Sequence, residues 1–186
     1  ALHLKLDDEK CFMVSGNKYS NLFKNKSVLK TKFSLTYGWG TWKRAWIGYD
    51  FNISSWSSLT KEDMKLIPYF AYRQRWIKIF NKVYGDNEKT YWDYQWQYHI
   101  WFSGGYSLEP PLNQIRNIGF NANATHTINK NDWRSGIKSH NLPPDFNYHI
   151  GDFNIINELQ NSLIELGFVS YIYKIYYKIK VKLTFK

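Results

Sequence analysis

Asp93 lies in the run Tyr91-Trp92-Asp93-Tyr94-Gln95-Trp96, a carboxylate crowded by aromatic side chains. Aromatic surface around a carboxylate disfavours its charged form, which moves its proton affinity toward the range of a general base. Flat aromatic faces beside an acid also make a platform for a sugar ring. A plainer reading stands next to this one. An acid in the first turn of a helix is stabilised by the helix dipole and free amides, by ~0.3–1 kcal/mol. Residue types alone leave both open. His126, in Ala124-Thr125-His126-Thr127, is a lone histidine, and such a residue is more often satisfied in a core or surface than part of a site. Asp7-Asp8 has the look of a metal-binding acidic pair, but it precedes an apolar run and its Glu9 and Lys10 neighbours read as an exposed helix end. The chain has no nucleophile elbow, no phosphate-cradling glycine loop and no histidine pair at metal spacing.

The framework that holds these residues can be read from pattern. Cys11-Phe12-Met13-Val14 is a short apolar run closed by Ser15-Gly16-Asn17, as in a buried strand ending in a turn. Residues 17–32, rich in Asn, Lys and Ser, read as a loop. Gly38 and Gly40 bracket Trp39, so backbone must pass close to something there. Thr41 is placed to cap a helix carrying Trp42 and Trp46 on one face. Residues 56–59 read as a loop, and Thr60-Lys61-Glu62-Asp63 as a helix start. The stretch 62–84 is helical in period, with Pro68 breaking or kinking it. A turn at 85–90 leads to a helix over Trp92–Phe102. Trp92, Trp96 and His99 lie on one side of it and Asp93, Gln97 and Ile100 on the next, and Ser103-Gly104-Gly105 stops it. Tyr106–Pro110 reads as a strand and Ile115–Phe120 as another extended piece. Residues 121–131 are a loop and 132–151 irregular. A helix is expected over about 155–166. The last part, 168–186, alternates apolar residues with lysines and fits a strand or an amphipathic helix.

The 186 residues suit one domain or a little more, and 44% apolar content supports a packed core. Aromatics are 19% of the chain, with nine Trp, fifteen Tyr and twelve Phe; they serve a core or a carbohydrate cleft equally well. The net charge of +10 favours anionic ligands such as phosphorylated cofactors, nucleic acid or an acidic membrane face. The basic residues are spread along the chain without a known binding module, so nucleic acid is not expected as a partner. Lys174, Lys178, Lys180, Lys182 and Lys186 make the tail basic and open to peripheral membrane contact, or simply a solvated face. Cys11 is the only cysteine, which excludes an intramolecular disulfide and a cysteine-based zinc site. With no run near the ~20 apolar residues of a membrane span and no signal-peptide pattern, a cytoplasmic location is expected, with peripheral contact at the inner membrane face. The first residue is not Met and the opening segment reads as the end of a helix, so a piece of a longer protein is expected.

Four segments in order carry a resemblance: Tyr37-Gly38-Trp39-Gly40-Thr41-Trp42-Lys43-Arg44-Ala45-Trp46, Trp92-Asp93-Tyr94-Gln95-Trp96, Asn117-Ile118-Gly119-Phe120 and Ala124-Thr125-His126-Thr127. Each alone is weak, but their order and spacing, over roughly residues 11–127, resemble bacterial glycosyltransferases of the nucleotide-diphospho-sugar transferase superfamily, the hemolysin-like branch with the GT-A fold. The resemblance implies an α/β, mixed-sheet fold with aromatic-rich helices. Residues 1–130 would be the acceptor-side part and 131–186 a C-terminal extension. It implies transfer of a hexosyl unit from a nucleotide-sugar donor to a glycan or lipid-linked acceptor, with inversion. Asp93 matches the acid that acts as base, although many members have Glu-Asp where this chain has Trp92-Asp93, which is similar to the N-acetylglucosaminyltransferase branch. Gly38, Trp39 and Gly40 match the loop that walls donor and acceptor, and Trp42, Trp92 and Trp96 are the accompanying substrate-binding candidates. His126 falls where some such enzymes place a late His on the metal or diphosphate. The divalent cofactor, Mn or Mg, would be held by an Asp-x-Asp-type motif upstream of Ala1. The alternative is a non-catalytic carbohydrate-binding module, or a transferase half that is incomplete alone.

Overall fold

A computed structural model of the chain describes residues 7–18, 27–68, 70–88, 91–119, 135, 137–142 and 149–153. Its strands are β1 (Cys11–Ser15), β2 (Val28–Thr31), β3 (Trp39–Thr41), β4 (Tyr106–Glu109) and β5 (Ile150–Gly151), and its α-helices are α1 (Phe70–Gly85) and α2 (Asp93–Phe102). The strands form one mixed sheet in the order β3-β1-β4-β2-β5. β1 and β4 are parallel neighbours at its centre, and both helices lie in the crossover between them. β3 and β2 flank that pair antiparallel, and β5 runs parallel to β2. The fold is therefore α/β, as expected.

The apolar run of β1 serves two clusters. Phe12 and Met13 join Phe33, Trp76, Phe80, Trp96, Ile100 and Trp101, while Cys11 packs with Val28, Tyr106 and Leu108, and Val14 and Trp42 lie against them. A register shift between Cys11 and Met13 puts two successive residues on one face. α2 is buried almost all round, Gln95 to Trp101. Its polar groups are only partly satisfied inside the protein. Gln97 donates from Nε2 to the Lys32 carbonyl at 2.9 Å and accepts at Oε1 from the Ser34 amide at 2.7 Å, whereas the Gln95 amide and the Trp96 indole nitrogen meet no partner among the described residues. The helix stops where expected, with Gly104 at φ +68 and the Gly105 amide donating to Ile100 O at 2.8 Å. Pro68 also does what its chemistry requires. It separates a 3-10 turn at Asp63–Leu66 from α1, and Thr60 and Asp63 bond reciprocally at the entry to that turn (Thr60 N to Asp63 Oδ2 2.8 Å; Asp63 N to Thr60 Oγ1 3.2 Å).

Several local expectations change. The loop expected at 17–32 contains β2, four residues whose Leu29 faces Glu109 of β4; a pairing so distant leaves no mark on a short polar stretch. Thr41 does not cap a helix. It ends β3, and its hydroxyl donates to the Phe12 carbonyl at 2.7 Å. The next element is one 3-10 turn, Lys43–Trp46, entered through an extended Trp42 (φ −118, ψ 149), so Trp42 and Trp46 do not share a face. Residues 56–58 belong to a 3-10 turn, Ser54–Ser58, that buries Trp56. Residues 7–10 form a turn closed by the Cys11 amide on Asp8 O. Residues 115–119 form no strand among the described residues; the loop is held by Asn113, whose Nδ2 donates to the carbonyls of Ile115 (2.6 Å) and Lys138 (3.0 Å). The helix expected at 155–166, the tail from 168 and the 121–131 loop lie outside the described residues.

Candidate functional site

Three elements bring indole rings together. Trp39 comes from β3, Trp46 from the 3-10 turn after it, and Trp92 and Trp96 from the start of α2. Trp39 stacks on Trp92 with centroids 5.1 Å apart and planes at 21°, and Trp46 stacks on Trp96 at 4.3 Å and 24°. Cross-contacts of 6.1–6.5 Å close the group into one patch. Its layers differ. Trp92 is 37% exposed, Trp39 and Trp46 are half-buried, and Trp96 is 0% exposed. Trp96, a substrate-binding candidate by its motif, has no surface to offer and instead supports Trp46 from below. Trp42 is separate from the patch: it lies against the Cys11 cluster, with the Arg44 guanidinium 4.5 Å over its ring.

Asp93 is half-buried at the first turn of α2, next to Trp92. Tyr49 reaches the same place from the loop after Trp46, and its hydroxyl donates to the Trp92 carbonyl at 3.3 Å. Burial, then the charges of Asp93 and Asp50, push the Tyr49 phenol up to about 12, so it remains a donor. His99 closes the underside. Its ring stacks on Phe12 at 5.2 Å, its Nε2 meets Ala45 O at 2.8 Å and its Nδ1 meets Ser103 Oγ at 3.2 Å. A carbonyl only accepts, so Nε2 carries hydrogen and Nδ1 accepts from the serine. Burial holds the His99 proton affinity below the ordinary value.

Beside the patch is a cleft of about 390 Å³, lined by Ser15, Gly16, Gly38, Trp39, Glu109 and Gln114 among others. It opens at the carboxyl ends of the parallel strands β1 and β4, where α/β sheets commonly bind ligands. Gly38 and Gly40 line it, and the close approach expected there is found. Gly38 has φ +55, its carbonyl accepts from the Gly16 amide at 2.8 Å, and an added Cβ would collide with the Ile115 side chain. Trp39 therefore belongs both to the cleft wall and to the aromatic patch. At one end of the cleft a fully buried ion pair joins Lys18 and Glu109 at 2.6 Å.

Sequence reasoning missed Tyr49, Glu109, Lys18, Asn113 and Ile115. Only Glu109 had a usable signal, an acid between an apolar strand and Pro110-Pro111. His126 lies outside the described residues. Asp8, of the acidic pair, accepts the Tyr106 hydroxyl and the Lys10 amide. No group of three or more His, Cys, Asp or Glu among the described residues is placed to hold a metal, and no helix among them is long and apolar enough to cross a membrane. Comparison with protein-family models, curated proteins and solved structures gives no match.

Proposed function

We propose that this chain is the acceptor-side part of a nucleotide-diphospho-sugar glycosyltransferase of GT-A type that moves a hexosyl unit to a glycan or lipid-linked acceptor with inversion. The observation that carries the reading is the half-buried Asp93 directly following Trp92, whose ring stacks on Trp39 of the cleft wall at the ends of β1 and β4. The order of the sequence motifs supplies the rest. Indole faces hold a sugar ring through its C–H surface. An adjacent carboxylate can accept the proton of an acceptor hydroxyl held on that surface.

The step is a single displacement. The acceptor oxygen attacks the anomeric carbon from the face opposite the diphosphate, and the new C–O bond forms as the bond to phosphate breaks. The nucleoside diphosphate departs with the electron pair, and the acceptor proton goes to Asp93. A divalent cation, Mn or Mg, would supply charge neutralisation at the departing diphosphate. What Tyr49, Trp39 and Trp46 contribute is orientation and the exclusion of water around the carboxylate.

Assay of the full-length protein against a panel of nucleotide-diphospho-hexoses tests the reading. Asp93→Asn keeps the shape and removes the base, and turnover should fall on the order of 10²-fold or more. Wild-type turnover in that variant sinks the assignment. The alternative, a non-catalytic carbohydrate-binding module, draws on the same aromatic patch. Calorimetry separates the two readings, because a bare module binds glycan and ignores nucleotide sugar.

A further inference from the structure

We infer that Tyr49 is a positioning residue for Asp93, its hydroxyl fixing the start of α2 against the loop after Trp46; this rests on the base assigned to Asp93 above. Trp92, which precedes α2, makes no side-chain capping bond. Its carbonyl accepts the Trp96 amide at 2.9 Å, the first bond of the helix, and also the Tyr49 hydroxyl at 3.3 Å. The peptide that carries Asp93 is thus tied from outside by one phenol.

The Tyr49 ring is itself well placed. It meets Trp46 edge-on at 4.9 Å, His99 edge-on at 6.0 Å and Trp96 at 6.0 Å. The charged and titratable groups around it are Asp50 on its own loop, and Asp93 and His99 on α2. With two carboxylates close and the phenol pushed up to about 12, the hydroxyl keeps its hydrogen across the neutral range and goes on donating. Loss of that hydrogen bond would release the first turn of α2 and let the carboxylate drift. Small misplacements at a reacting centre cost much more in rate than in stability.

Tyr49→Phe removes the hydroxyl and keeps the ring. Tyr98→Phe is its control: it removes a hydroxyl further along α2 that meets Ser55 at 2.8 Å and not the Trp92 carbonyl. In the full-length protein, Tyr49→Phe should lower kcat about ten- to hundredfold with KM for the nucleotide sugar unchanged. Tyr98→Phe should leave kcat alone. Hydrogen exchange gives a readout independent of turnover, with the Trp96 amide exchanging about three- to tenfold faster in Tyr49→Phe and the Ser103 amide unchanged. Wild-type kcat and exchange in Tyr49→Phe, beside an inactive Asp93→Asn, overturn the positioning role and leave the transferase reading standing. Equal losses in both tyrosine variants overturn it as general softening. Full turnover in Asp93→Asn removes the transferase reading and the positioning role with it.

Discussion

Trp39 of β3 and Trp92 at the head of α2 stack face to face at 5.1 Å, and this contact joins the cleft at the sheet end to the carboxylate at the helix start. Stacking of this kind contributes about 0.5–1.5 kcal/mol beyond simple burial. The contact is as much architectural as functional, since Trp39 also touches Trp46 and Trp96.

The layering of the indoles separates the proposed carbohydrate contact from stability. On that proposal, Trp92→Ala, which removes the most exposed ring of the patch, should weaken glycan binding by about tenfold, with a stability cost near the stacking energy of about 1 kcal/mol. Trp96→Ala opens a hole under the patch and should cost about 3–5 kcal/mol. Glycan titration by calorimetry and urea unfolding of the two variants, side by side, check this. A larger unfolding loss in the Trp92 variant than in the Trp96 variant would contradict the layering.

Gly38 carries two separate demands, a left-handed backbone and the Ile115 side chain against its Cα. Gly38→Ala should therefore destabilise the fold by more than about 1 kcal/mol. The double variant Gly38→Ala/Ile115→Ala relieves the collision but not the backbone strain, so it should be more stable than the sum of the single losses predicts. Additive losses in chemical denaturation would show that Ile115 does not press on Gly38.

His99 predicts the acid response. Its folded-state proton affinity is depressed by burial, and the hydrogen bond to Ala45 only partly offsets this. Well above its ordinary value of 6.5 the ring is neutral in both states and contributes no pH dependence. As pH falls below 6.5 the unfolded chain takes up the proton first, so stability declines until the folded-state value is passed. His99→Gln should flatten that part of the curve. Thermal unfolding between pH 7.5 and about pH 5 measures it, and an unchanged slope in the variant would assign the acid response elsewhere.

Elements whose signal is local were legible in the sequence. The apolar run of β1, the period of α1 with its break at Pro68, and α2 with its glycine stop all appear where pattern placed them. β2 was not legible, because Val28–Thr31 is a strand only by virtue of its partners β4 and β5. Thr41 and Trp42 misled for the same reason. Alone they look like a cap and a helix face, but pairing of β3 with β1 extends the chain there and sends the Thr41 hydroxyl to Phe12.

Legible in the residues of single segments were Asp93 at the head of a helix among aromatic side chains and a close approach of some kind at Gly38, since both arise from one segment's own chemistry. Only the tertiary structure decided which indoles meet. Trp46 and Trp92 join the patch, Trp96 is buried beneath it and Trp42 turns away, because β3, a 3-10 turn and α2 converge from separate stretches of chain. Tyr49 is the clearest instance: nothing in its own segment marks it, and its place beside Asp93 exists only once that loop folds against the start of α2.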